Sequence, residues 1–161
     1  MELKTRLLER KDLKHRSDEW HSQGKTVVLT NGCFDLLHAG HLRTFWEAKK
    51  YGDILLVGIN SDQSVRGLKG PTRPIVSELD RASLLTALRP VDYVTIFGET
   101  DAVELIRAVH PDIYVKGGDY TLDNLPEKKV ILELGVEVRF IPLVAGISTS
   151  ELVTRIRHAN L

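Results

Sequence analysis

Cys33 is the only cysteine in the chain, so an intramolecular disulfide is excluded and a cytoplasmic location is the default expectation. An excess of charge of one sign is missing too: 22 Lys and Arg balance 22 Asp and Glu. A formal net charge of zero argues against a nucleic-acid binder working through a broad basic face. No apolar run approaches the roughly 20 residues that span a bilayer, and Met1-Glu2-Leu3-Lys4 is charged from the outset. Neither membrane insertion nor a signal peptide is therefore expected. Gly-x-Gly-x-x-Gly is absent, which removes the main support for a dinucleotide site. Gly24-Lys25-Thr26 matches only the end of a P-loop. The first glycine would have to stand at Glu19, and the triplet precedes a strand instead of following one. Repeats, low-complexity tracts and linkers are also missing. The 161 residues are read as a single domain, with a leading helical segment over 1–24 and a core over 25–161.

What is present is a soluble globular composition, 42% hydrophobic and 27% charged. The pattern predicts a leading amphipathic helix from about Leu7 to Gln23, ended by Gly24. Strands and helices then alternate. Strands are expected at Thr26–Thr30, Ile54–Ile59, Tyr93–Ile96, Ile113–Val115 and Val136–Ile141. Helices are expected from about Ala39, at Leu79–Leu88 with Leu84, Leu85, Ala87 and Leu88 inward, and at Val103–Val109, Lys128–Leu134 and Ser148–His158. This alternation predicts an α/β fold, a doubly wound sheet of about five parallel strands covered by helices on both faces. Ligands of such sheets bind beyond the carboxyl ends of the strands, at the switch point.

Thr30-Asn31-Gly32-Cys33-Phe34-Asp35-Leu36-Leu37-His38-Ala39-Gly40-His41 lies at such a place. A buried strand runs into a turn, and a helix opens near Ala39-Gly40 with unpaired backbone N–H groups and the positive end of its dipole. Leu42, Phe45, Trp46 and Lys49 continue that helix at helical spacing, with the apolar residues expected together on one face. His38 and His41 share one side of its first turn and can both donate to one phosphate, while Gly40 lets an anion approach the backbone. A zinc site on Cys33, His38 and His41 lacks a second cysteine and the usual histidine spacing. Cys33 closes an apolar run and reads as a packed residue rather than a nucleophile.

Three further segments follow predicted strands. After the second strand, a long polar loop carries Arg66, Lys69 and Arg73 among glycines and prolines, either a solvated loop or three cations for a triphosphate. Lys116-Gly117-Gly118-Asp119-Tyr120 is either a glycine turn with a half-buried tyrosine or a backbone that approaches a flat ligand with Tyr120 stacked on it. Gly146-Ile147-Ser148-Thr149-Ser150-Glu151 opens the last helix with Ser148 as N-cap and Glu151 completing a capping box.

His38-Ala39-Gly40-His41 resembles the His-x-Gly-His signature of the nucleotidyltransferase superfamily. From about Leu7 to its end the chain is similar to the adenylyltransferase half of the ADP-heptose synthases, with Leu68-Lys69-Gly70, Arg73-Pro74-Ile75 and the Lys116–Tyr120 run matching their loops. The resemblance implies a Rossmann-like nucleotidyltransferase fold and transfer of AMP from ATP to D-glycero-β-D-manno-heptose 1-phosphate, with loss of pyrophosphate. It implies catalytic roles for His38, His41 and Lys69. Nucleotide contacts would come from Thr30, Asn31, Gly32, Cys33, Phe34, Asp35, Gly40, Arg66, Lys116, Gly117, Gly118, Asp119, Tyr120, Ser148 and Thr149. Asn60, Asp62 and Arg73 would lie on the acceptor side. Mg²⁺ would be held mainly by ATP phosphates, and a homodimer is expected. Bifunctional members carry a sugar kinase ahead of this domain; with Met1 opening this chain, a stand-alone transferase is expected. The alternatives are a cytidylyltransferase for glycerol 3-phosphate or a similar polyol phosphate, and a non-catalytic nucleotide-binding module.

Overall fold

Val27-Val28-Leu29 is β-branched or apolar on both sides, so its strand can lie only inside a sheet covered on both faces. The computed structural model describes residues 5–118, 120–142 and 148–159, and places that strand at the sheet's centre. The strands are β1 (Leu7–Leu8), β2 (Val27–Gly32), β3 (Ile54–Asn60), β4 (Tyr93–Phe97), β5 (Ile113–Gly117) and β6 (Glu137–Ile141). The helices are α1 (Leu13–Ser22), α2 (Ala39–Lys49), α3 (Asp62–Lys69), α4 (Glu78–Thr86), α5 (Val103–Val109), α6 (Lys128–Leu134) and α7 (Thr149–His158), with short 3₁₀ turns at Arg10–Asp12 and Leu122–Asn124. All pairings are parallel, in the order β1-β4-β3-β2-β5-β6. The chain leaves β2 for β3 on one side and reaches β5 on the other, so the switch point lies at the carboxyl end of β2.

Alternation along β2 and β5 divides the core in two. Val27, Leu29 and Tyr114 pack with Leu13 and Trp20 of α1, Leu105 and Ile106 of α5 and Ile131 of α6. Val28 and Val115 pack on the opposite face with Phe45 and Ala48 of α2 and Leu85 of α4. By the same period of two, Asn31 and Lys116 continue the α5/α6 face to the strand ends. Gly58 leaves room for α5, since a Cβ there would lie 2.4 Å from Leu105 Cδ2. No helix among the described residues is long and apolar enough to cross a membrane.

Four sequence expectations are corrected. The leading helix starts at Leu13, not Leu7. Leu7 and Leu8 pair with Val94 and Thr95 as a sixth strand, secured by Val94 N–H to Arg6 O (2.8 Å) and Thr95 Oγ1 to Leu8 O (3.0 Å). Edge pairing outranks local helix preference there. The expected loop carrying Arg66 and Lys69 is helix α3, begun by Ser61, whose hydroxyl accepts the Ser64 N–H. On α4 the inward stripe is Arg81, Ala82, Leu85 and Thr86, while Leu84 and Ala87 face solvent. On α2, Phe45 is buried but Leu42 and Trp46 are 38% and 45% exposed.

Candidate active site

Beyond the carboxyl ends of β2, β3 and β5 opens a cleft of about 570 Å³. Of the residues expected there, Thr30, Asn31, Gly32, Cys33, Phe34, His38, Gly40, His41, Asn60, Lys69, Lys116, Gly117, Tyr120, Ser148 and Thr149 line it. Gly118, in the left-handed region at φ +126°, turns the chain out of β5 without lining the cleft. Asp119 and the Gly146-Ile147 pair lie outside the described residues.

His38 sits in extended conformation as the N-cap of α2, and its Nδ1 accepts the His41 N–H at 3.4 Å. A neutral imidazole that accepts at Nδ1 carries its proton on Nε2. The two rings stack at 3.7 Å between centroids, 20° from parallel. Burial lowers the His38 pKa, and burial, His38 and Lys69 together push His41 down to about 4. The pair is therefore neutral at pH 7 and offers dipoles, not cations. His41 Nδ1 is buried with no partner among the described residues. Phe34 holds the pair from below, edge-on to His41 at 5.1 Å, at a backbone φ of +47° that a bulky residue adopts at a cost. Lys69, at the end of α3, is the charge on this side, and α7 presents a second helix start. Ser148 Oγ accepts the Glu151 N–H (3.1 Å) as its N-cap and keeps its own proton to donate. Thr149 Oγ1 donates to Leu36 O (3.3 Å), which ties α7 to the turn before His38.

Asp35, Asp62 and Arg73, expected at the site, do not line it; they build the wall behind it. Asp35 is buried and accepts from Arg73 Nη1 (2.5 Å), Ile75 N (2.7 Å) and Val76 N (3.0 Å). Burial raises its pKa, but the Val76 and Ile75 amides and Arg73 outweigh it and hold the carboxyl below its ordinary value. Asp62 Oδ1 takes Arg81 Nη2 at 2.8 Å, and fully buried Arg81 also donates to Val76 O (3.0 Å) and Cys33 O (2.5 Å). Arg66 is exposed on α3, away from the cleft. Asn60 lines the cleft, yet its amide donates to Ser64 Oγ (2.9 Å) and Glu99 O (3.2 Å). Burial raises the Cys33 thiol pKa, which agrees with packing rather than nucleophilic attack.

Across the cleft, Asn31 Oδ1 accepts from Tyr114 OH (2.5 Å) and Lys116 Nζ (3.0 Å). Tyr120 lies at the rim, 40% exposed, with Lys116 Nζ 5.3 Å from its ring centre. Thr44, Thr100, Asp101 and Glu127 also line the cleft and were not foreseen. Thr44 stands one turn beyond His41, a spacing that could have shown it. Thr100 and Asp101 follow β4, as strand-end loops should. Glu127, just before α6, gives no signal in the sequence.

A family model described as cytidylyltransferase-like matches residues 29–155. A protein of Syntrophotalea carbinolica named bifunctional protein HldE is 46% identical over 97% of this chain and 32% of its own length. A protein of the same name from Nitratiruptor sp. is 51% identical over 88% of this chain and 30% of its own length. The chain thus spans about a third of the length of these relatives. The solved lipopolysaccharide core biosynthesis protein of Thermoplasma volcanium matches with a TM-score of 0.63 at 33% identity, covering 75% of this chain and 98% of that one. The family match over most of the chain, on a parallel sheet with the histidine pair at its switch point, settles the lineage: the chain belongs to the cytidylyltransferase-like family of nucleotidyltransferases.

Proposed function

We propose that the chain transfers AMP from ATP to a sugar 1-phosphate, D-glycero-β-D-manno-heptose 1-phosphate in the first instance, giving an ADP-sugar and pyrophosphate. The observation that carries this reading is the phosphate end of the cleft, where two helix N-termini, two neutral imidazoles and Lys69 converge. A sugar-phosphate oxygen attacks the α-phosphorus of ATP in line, and the bond to the pyrophosphate oxygen breaks. No protein nucleophile is needed; the residues position the phosphates and stabilise charge as it shifts. His38 donates through Nε2–H, His41 through its ring N–H, and the α2 and α7 amides and Lys69 hold the leaving group. Tyr120 offers a face for the base.

Mg²⁺ fits this arrangement as a guest of the nucleotide. Asp35 and Asp62 are committed to arginines, and no group of three or more His, Cys, Asp or Glu among the described residues could hold a metal. Phosphate oxygens and water would coordinate the ion, which neutralises phosphate charge. The relatives named HldE and the lipopolysaccharide core neighbour support the sugar branch. A homodimer remains part of the proposal.

The test is pyrophosphate release across four nucleoside triphosphates and a panel of sugar and polyol phosphates. ATP with the heptose 1-phosphate should turn over fastest. Faster turnover of CTP with glycerol 3-phosphate would move the chain to the cytidylyltransferase reading, and nucleotide binding without release would make it a non-catalytic module.

A further inference from the structure

The phosphate end occupies the α2 face of the sheet edge; the opposite, α5/α6 face carries a second polar cluster for which the phosphate chemistry above has no use. Glu127 is 1% exposed and lines the cleft. Its Oε1 accepts the Ala102 N–H at 3.0 Å, before α5, and lies 3.8 Å from Lys116 Nζ. Its Oε2 is buried with no hydrogen-bond partner among the described residues. The neighbouring Tyr114 hydroxyl is within reach of Glu127 as well, but its short 2.5 Å bond gives the proton to Asn31 Oδ1. A buried carboxylate oxygen without a donor is costly, so the site favours a ligand that brings one. Lys116, Asp101 and Thr100 line the same cleft and mix donors with acceptors. A polyol matches such a floor, with several hydroxyls that each donate and accept. A nucleobase needs a flat face, which Tyr120 offers at the rim.

We propose that Glu127 Oε2 accepts a hydrogen bond from a hydroxyl of the acceptor sugar, making the Glu127–Lys116 floor the subsite that selects the sugar phosphate. This rests on the sugar-phosphate reading of the cleft. Burial lowers the Lys116 pKa, and the Glu127 carboxylate, 3.8 Å away, opposes that shift. Glu127 does not touch the reacting phosphorus and sets specificity only.

Glu127→Gln tests it, because Oε1 can still take the Ala102 N–H while the acceptor facing the cleft becomes an amide donor. Removing one hydrogen bond to a charged group should raise the KM for the sugar phosphate roughly tenfold to a hundredfold, with the KM for ATP within about twofold. Calorimetric titration of the heptose 1-phosphate, and separately of ATP, into wild type and variant gives the same split without turnover. Unchanged affinity for the sugar phosphate, or equal losses for both substrates with a lowered Tm, would overturn the inference and mark Glu127 as structural. A matching loss confined to ATP would place a base amine on Glu127 and overturn it too. Glu127-dependent binding of the sugar phosphate with no pyrophosphate release by the wild type would overturn the transferase reading and leave this one standing.

Discussion

The two walls of the phosphate end are built on opposite plans. Behind the cleft, Asp35, Arg73, Asp62 and Arg81 form ion pairs and hydrogen bonds inside the protein. At the cleft, the histidines are neutral, one ring nitrogen has no partner among the described residues, and the sole link between the two residues' polar groups is a long 3.4 Å bond. Lys69 apart, formal charge is used here to fix the frame, and weakly engaged polar groups are left for the ligand. An acid or arginine beside a phosphate motif is thus no guide to substrate contact until its partners are known.

The frame should break hardest. Arg81→Met removes a fully buried guanidinium with three partners and strands Asp62. Loss of one partner of a buried pair costs about 3–5 kcal/mol, to be read from urea melts; a loss below ~1 kcal/mol would contradict the division between the walls. The cleft should respond in rate instead. His41→Ala should cut turnover about a hundred- to thousandfold, or roughly 2.7–4 kcal/mol, with ATP affinity and Tm little changed. A folded variant with near-normal turnover would remove the histidine pair from the mechanism.

A smaller effect sharpens the contrast through pH. The folded pKa of His41, about 4, lies below the ordinary 6.5, so the unfolded chain takes up its proton first. Stability should therefore fall as pH drops from 6.5 towards 4, by up to about 3 kcal/mol for this group, and should be unaffected by it above 6.5. His41→Asn should flatten that part of the stability curve. Parallel curves for wild type and variant would show that burial does not hold the ring neutral.

Much of this architecture was legible in the sequence because apolar strands and flanking turn residues are local signals. α5 and α6 have the bounds expected, and the helix start at Ala39 follows from the strand, turn and glycine around it. Leu7-Leu8 was not legible: its strand exists only through pairing with β4, whose partner residues lie 87 positions further along the chain. The same limit applies within the site. His38, His41, Lys69 and Ser148 stand in short motifs at element ends, whereas Asp35 and Asp62 could be told from ligand contacts only by finding Arg73 and Arg81 beside them. Glu127 reaches the cleft solely because α5 and α6 begin side by side.

The stacked, uncharged rings also limit the range over which their part of the cleft attracts. Attraction between a dipole and an anion fades with distance more steeply than attraction between opposite charges, and it is lost once the hydrogen bond is bent. Gathering phosphates from a distance therefore falls to Lys69, not to the cradle of imidazole and amide N–H groups. The cradle acts on those whose oxygens arrive within contact range and in the right directions. Multivalent anions of the wrong shape gain little from such a surface, and discrimination at this end of the cleft becomes a matter of fit rather than of charge.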